Sequence, residues 1–213
     1  MRRRSKVVLA LLLVIIIVFF TFSFLDFRAI TSETVTHSRE ITTSIGQPKI
    51  DLASGLYVYV DGEDGLTKEL RSGLTEKLRQ GGIEVLKTGS LEEKYDRQVL
   101  VVAILDREVS YNPVYPSATI ELFFVYSSSG NTACFKAFKG GEQAADLSRG
   151  ESGEDELLMR GELNLTDTTK GIISHKAYQK HIAAEIAEGI FRGLLRMSTL
   201  EMNTGDNGYV KTN

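Results

Sequence analysis

Residues 7–25 run VVLALLLVIIIVFFTFSFL without a single charge, and no other stretch constrains the chain as strongly. A helix of that length rises roughly 28 Å, close to the hydrocarbon thickness of a bilayer. Arg2, Arg3, Arg4 and Lys6 precede the run, whereas Asp26 and Arg28 follow it. The positive-inside rule then predicts a single-pass protein of the cell membrane, with residues 1–6 as a cytoplasmic tail and the remainder outside. The lipid bilayer is the partner expected for 7–25. A cleaved signal peptide begins with the same basic cluster, but its apolar region is usually shorter and ends in a small-x-small site. Here the run ends in Phe19, Phe20, Phe22, Phe24 and Leu25. A buried helix of a soluble fold fits poorly, because the stretch is apolar on every face.

The chain carries a net charge of −3, and four of its positive charges stand before the apolar run, so the part after it carries about −7. That balance disfavours nucleic acid and anionic headgroups as partners. Cys134 is the only cysteine, which excludes an intramolecular disulfide and requires the domain to hold together by burial. In a strand-like setting over 132–138 it reads as a small buried hydrophobe.

Residues 26–50 are rich in Ser and Thr, with His37 solitary, and read as an extended stalk, in which the isolated Val35 and Ile41 leave open a strand or a frayed helix over part of its length. A domain over 51–198 follows, and 199–213 reads as a disordered tail. Residues 56–60 (LYVYV) have strand composition. In 66–80, Leu66, Leu70, Leu74 and Leu78 make one apolar stripe of a helix, which Asp64 is placed to cap and Gly81-Gly82 to end. A short strand is expected at 83–86 and a polar connection at 91–97. Residues 98–106 are apolar on both phases, the mark of a strand covered on both faces. Residues 118–127 alternate, and a turn at 128–131 predicts a hairpin returning through 132–139. An excursion over 140–155, an edge strand over 157–165 and a helix over 171–197 complete the reading. That helix is too charged to span a bilayer, and Gly189-x-x-x-Gly193 lets it lie close on a sheet. The expected fold class is an N-terminal transmembrane helix plus one α+β domain. Its order is β-α-β-β-β-β-(β)-α, a mixed, mainly antiparallel sheet with two helices on one face.

Asp61-Gly62-Glu63-Asp64-Gly65 gathers three carboxylates between strand and helix, the best candidate for a divalent-metal site. The simpler account is a glycine turn and a helix cap. Glu151, Glu154, Asp155 and Glu156 form a loop cluster open to weak Ca²⁺ association or to plain solvation. His175 and His181 are six residues apart, about 120° around a helix, and make no metal pair. Tyr111, Asn112 and Tyr115, in a stretch broken by Pro113 and Pro116, form the most binding-like loop, and an aromatic turn packed on the domain fits equally. Asn164-Leu165-Thr166 matches a glycosylation acceptor. No nucleophile elbow, phosphate loop or dinucleotide fingerprint is present, and no cofactor is expected.

The strand at 56–60, the leucine-striped helix at 66–80 and Gly81-Gly82-Ile83-Glu84-Val85 resemble a recurring module of small envelope proteins. The lipopolysaccharide-assembly lipoproteins are similar in this layout, as is the N-terminal domain of the Tol translocation β-propeller proteins. The resemblance implies a non-enzymatic binding and assembly role, and this chain departs from it in lacking a lipidated cysteine near its start. The expected function is thus a non-catalytic interaction domain displayed in a prokaryotic envelope, with an envelope protein or glycan as partner. A metal-dependent hydrolase or ligand sensor built on Asp61, Glu63 and Asp64 is the alternative.

Overall fold

The structure, a computed structural model, describes residues 8, 11–17, 26–45, 52–87, 90–139 and 156–204. Residue 8 and residues 11–17 are helical and exposed; the rest of the expected 7–25 span lies outside the described residues. No helix among the described residues is long and apolar enough to cross a membrane. The transmembrane helix expected from the sequence is therefore not supported.

A six-stranded sheet forms the frame, in the order β1-β6-β5-β4-β2-β3. Its strands are β1 (Arg28–Ile45), β2 (Leu56–Asp61), β3 (Val85–Lys87), β4 (Val99–Ser110), β5 (Ser117–Ser127) and β6 (Glu156–Ile173). The helices are α1 (Gly65–Gln80), α2 (Ala133–Lys139) and α3 (His175–Thr204). β2 runs parallel to β3 and β4, and the remaining pairings are antiparallel.

The expected order is corrected at four places. Over Arg28–Ile45 the stalk is β1, an 18-residue strand paired with β6 along its length, and residues 46–50 lie outside the described residues. It escapes a burial argument because hydroxyl side chains occupy both of its faces, and the face towards α3 is stabilised by polar contacts rather than apolar ones. The expected hairpin return is helical: Asn131 Oδ1 accepts from the Ala133 amide at 2.8 Å and Thr132 Oγ1 donates to Glu92 C=O at 2.6 Å, which starts α2. β5 pairs instead with β6. The expected edge strand is the inner strand β6, 18 residues long, between β1 and β5. The last helix begins only at His175, because β6 continues to Ile173. It extends through 199–204; residues 205–213 lie outside the described residues.

Both long helices pack on one face. Leu66, Leu70, Leu74 and Leu78 of α1 meet Tyr178, Ile182, Ile186 and Ile190 of α3 in one buried cluster with Leu100, Val102, Leu122 and Phe124 of the sheet. The opposite face is covered only in part. There α2 places Phe135 in a stack with Phe123, with centroids 5.1 Å apart, over Val99, Val101, Ala103 and Val125. The remainder of that face, including Thr119, Glu121, Asn164, Thr166 and Thr168, is exposed.

Missing side chains let the layers approach. A Cβ at Gly189 stands 2.4 Å from Leu163 Cδ1, and one at Gly161 stands 2.1 Å from the Phe124 ring. Phe124 is fully buried, so its ring moves aside only by displacing other close-packed core side chains. Gly161→Ala is expected to lower unfolding free energy by about 1–3 kcal/mol through overpacking. Urea denaturation followed by far-UV circular dichroism checks this, and an unchanged midpoint contradicts the close approach.

Candidate functional site

At the carboxyl end of β2 the chain turns through Asp61–Asp64 into α1. Asp64 caps the helix, accepting from the Leu66 and Thr67 amides at 3.0 and 3.2 Å and from Thr67 Oγ1 at 2.9 Å. Its other partner is Arg107, 2.7 Å away. Burial acts against the Asp64 charge, but the Thr67 amide, the Arg107 guanidinium and the Thr67 hydroxyl outweigh it and hold the carboxyl below the usual range. Asp61 instead pairs with Lys139 at 2.5 Å, and Glu63 pairs with Arg71 at 3.5 Å. Arg71 also donates to the Val60 and Gly62 carbonyls at 2.9 and 3.1 Å. Three carboxylates thus go to three different cations. Among the described residues no group of three or more His, Cys, Asp or Glu is arranged to hold a metal ion.

Arg107 reaches Asp64 because β4 bulges. The β4–β5 register shifts between Ile104 and Asp106, leaving Leu105 as the extra residue. Before the shift the even-numbered side chains of β4 face the helices; after it the odd-numbered ones do. Arg107, Val109 and Tyr111 are thereby turned into a cleft of about 230 Å³ between the first turns of α1 and α3, with Asp64, His175 and Tyr178 opposite. Two features singled out in the sequence, the acidic turn through Asp64 and the aromatic loop through Tyr111, meet here.

The loop itself is fastened down. Tyr111 donates its hydroxyl to Ile173 C=O at 2.9 Å and meets the His175 ring edge-on, with centroids 4.8 Å apart. Asn112 Oδ1 accepts from the Val114 amide at 2.9 Å, and only Tyr115 and Val114 project outward among the large side chains. Backbone amides of Thr169, Gly171 and Ile173 donate to Pro116, Val114 and Pro113, each at 3.0 Å, so the loop extends the sheet. Asn164 is exposed on the open face of β6, opposite His37 and Glu121. Glu151, Glu154 and Asp155 lie outside the described residues, while Glu156 accepts from Ser127 and Ser129 at 2.8 and 2.7 Å. Cys134 is buried in α2 rather than in a strand, and burial, then Glu156, pushes its thiol up to about 11 despite Arg160. It is a protonated, small hydrophobe.

The most connected polar group is one that sequence reasoning passes over. Asp167, fully buried on β6, accepts from Thr34 of β1 at 2.6 Å, from Thr169 at 2.9 Å and from the Tyr178 hydroxyl at 2.9 Å. His181 Nε2 lies 3.1 Å from Asp167 Oδ1 and, facing a carboxylate that only accepts, carries the proton there. Burial raises the Asp167 carboxyl, but the bonds from His181, Thr34, Thr169 and Tyr178 prevail and hold it below the usual carboxylate range. Burial, then the Asp167 charge and the bond to it, push the Tyr178 phenol far upward. One signal was available: in β6 the buried phase of Leu157, Met159, Leu163 and Leu165 continues into Asp167 and Thr169, so a carboxylate occupies a core position. His181 is likewise buried.

No protein-family model matches the chain, and none of the curated proteins does. Among solved structures it is similar to the PelC dodecamer from Paraburkholderia phytofirmans, at 14% identity over 68% of this chain and 95% of that one, with a TM-score of 0.33. It is also weakly similar to a minor lipoprotein from Acinetobacter baumannii, at 11% identity over 66% of this chain and 91% of that one, with a TM-score of 0.31. Overlaps this loose carry no argument about mechanism.

Removing the Asp167 carboxylate strands three buried donors and the half-buried Thr34 hydroxyl. Asp167→Ala is expected to cost on the order of 3 kcal/mol of stability at neutral pH. Because the folded carboxyl titrates below its unfolded value, its contribution is complete above about pH 3.9 and is lost as pH falls from there through the folded value. Urea titrations at neutral and acid pH check this: the gap between parent and variant narrows in acid, and a constant gap contradicts the assignment.

Proposed function

We propose that this chain is a non-catalytic interaction and assembly domain that works outside the cytoplasm. The observation that carries the reading is β1, an edge strand of 18 residues with one side of its backbone left unpaired among the described residues. A free edge of that length is a surface for strand addition, in which main-chain hydrogen bonds supply affinity and alternate side chains supply selectivity. The open polar half of the sheet continues that surface. Support also comes from the fate of the titratable groups. Asp61, Glu63 and Asp64 are each neutralised separately, and the Asp167–His181 pair is closed away from solvent.

The exported location belongs to the same reading. It is supported by Arg2, Arg3, Arg4 and Lys6 ahead of an uncharged apolar stretch, and by an acidic remainder with a single cysteine. The finer likeness to lipopolysaccharide-assembly lipoproteins and to the Tol propeller's N-terminal domain rests on the β2–α1–β3 unit and supports an envelope setting.

Immobilised full-length chain in non-ionic detergent is expected to retain a specific protein or glycan from an extract of its own cells. Thr36→Pro removes an amide that points off the free edge and spares the β1–β6 ladder, so it is expected to reduce retention at least several-fold. Absence of any specific partner on the parent chain, or equal retention by parent and variant, contradicts this reading.

A further inference from the structure

The two edges of the sheet are built differently. β3 is three residues long, and shortness is one way in which proteins keep an edge from pairing with another chain. β1 is 18 residues long, pairs with β6 without a register shift and contains no Pro, Gly or Lys. It therefore lacks the breaks, bulges and lysines that commonly blunt a long edge.

Its backbone polarity follows from one bond. The Ser174 amide donates to Phe27 C=O at 3.0 Å, one pair beyond the β1–β6 register. Antiparallel alternation then turns the odd-numbered peptide groups of β1 towards β6 and the even-numbered ones outward. The even-numbered side chains face α3: Thr34 meets Asp167, while Ser38 and Glu40 meet Arg196 at 3.0 and 3.3 Å. Thr31, Glu33, Val35, His37, Arg39 and Ile41 stand exposed on the other face.

We infer that β1 pairs antiparallel with β1 of a second copy about a two-fold axis at Thr36. This rests on the interaction-domain reading and names its partner. For the outward peptide groups to meet, even-numbered residues must oppose even-numbered ones. In the register centred on Thr36, Glu33 stands opposite Arg39 of the second copy, and Arg39 opposite its Glu33. Val35 opposes His37, and Thr31 opposes Ile41. Moving the centre by one residue in either direction removes both ion pairs. Centring on Glu33 or on Arg39 sets like charges against each other. One other register forms ion pairs, centred on Thr34 with Arg28 opposite Glu40, but Glu40 is already engaged by Arg196. Glu33 and Arg39 have no ion-pair partner of their own among the described residues. The arrangement uses both long edges, leaves only the short β3 edges outermost and closes at two copies.

Sedimentation equilibrium of the full chain in non-ionic detergent tests this, the detergent keeping the apolar start from driving association. A monomer–dimer equilibrium is expected for the parent. Glu33→Arg alone sets two pairs of arginines together, Arg39→Glu alone sets two pairs of glutamates together, and each raises the dissociation constant on the order of tenfold. An equimolar mixture of the two variants restores opposite charge at both contacts and recovers dimer, an outcome that merely unfolded variants cannot give. A monomeric parent, variants that associate as tightly as the parent, or a mixture no tighter than its components overturns the inference. If the parent is monomeric yet still retains a partner through a Thr36→Pro-sensitive contact, self-pairing fails and the interaction-domain reading stands.

Discussion

A single buried carboxylate holds together the part of the molecule that matters most for recognition. Asp167 on β6 receives Thr34 from β1 and both Tyr178 and His181 from α3, so one side chain ties the outermost strand to its neighbour and to the covering helix. A buried charge is costly unless its acceptor sites are filled, and this one has four donors. The network therefore behaves as a unit: completing it docks α3 across β6 and β1, and leaving it incomplete penalises the whole arrangement. Lys180 on α3 adds an exposed ion pair to Asp26, just before β1 begins.

That clamp explains how β1 belongs to a folded sheet with so little apolar surface. Val35 and Ile41 face outward, and of the side chains turned towards α3 only Ile30 packs against the core. Main-chain bonds to β6 and polar contacts to α3 replace hydrophobic burial, and the consequence is a strand whose outer side has no strand partner among the described residues. Elsewhere the molecule is ordinary in its energetics. Leucines of α1 and isoleucines of α3 bury against Leu100, Val102 and Phe124, and glycines at 161 and 189 admit the close approach.

The same contrast decides what could be read from the sequence. The Leu66–Leu78 stripe is visible because a helix that packs on a sheet needs one apolar face, and 98–106 is visible because β4 is buried on both faces at Val99–Ala103. Asp64 as a helix cap follows from its place before α1. β1 is hidden because hydroxyls carry no burial period, and β6 is cut short in the reading because polar residues after Leu165 interrupt the apolar alternation. Asp167 and His181 are 14 residues apart on a strand and a helix, and no spacing rule joins them. The apolar run at 7–25 is the other departure, of which only residue 8 and residues 11–17 are described. Composition alone predicts a membrane span, and no described helix is long and apolar enough to be one.

Recognition by this domain depends on β1 being an ordered strand with one free side. Residue-resolved amide hydrogen exchange over 28–45 tests it most directly. At low concentration the odd-numbered amides, bonded to β6, are predicted to exchange slowly, and the even-numbered amides between Ile30 and Thr42 quickly. At high concentration the even-numbered amides around Thr36 gain protection as the second copy pairs. Uniformly fast exchange across 28–45 contradicts the account, because it makes the segment a stalk rather than a strand.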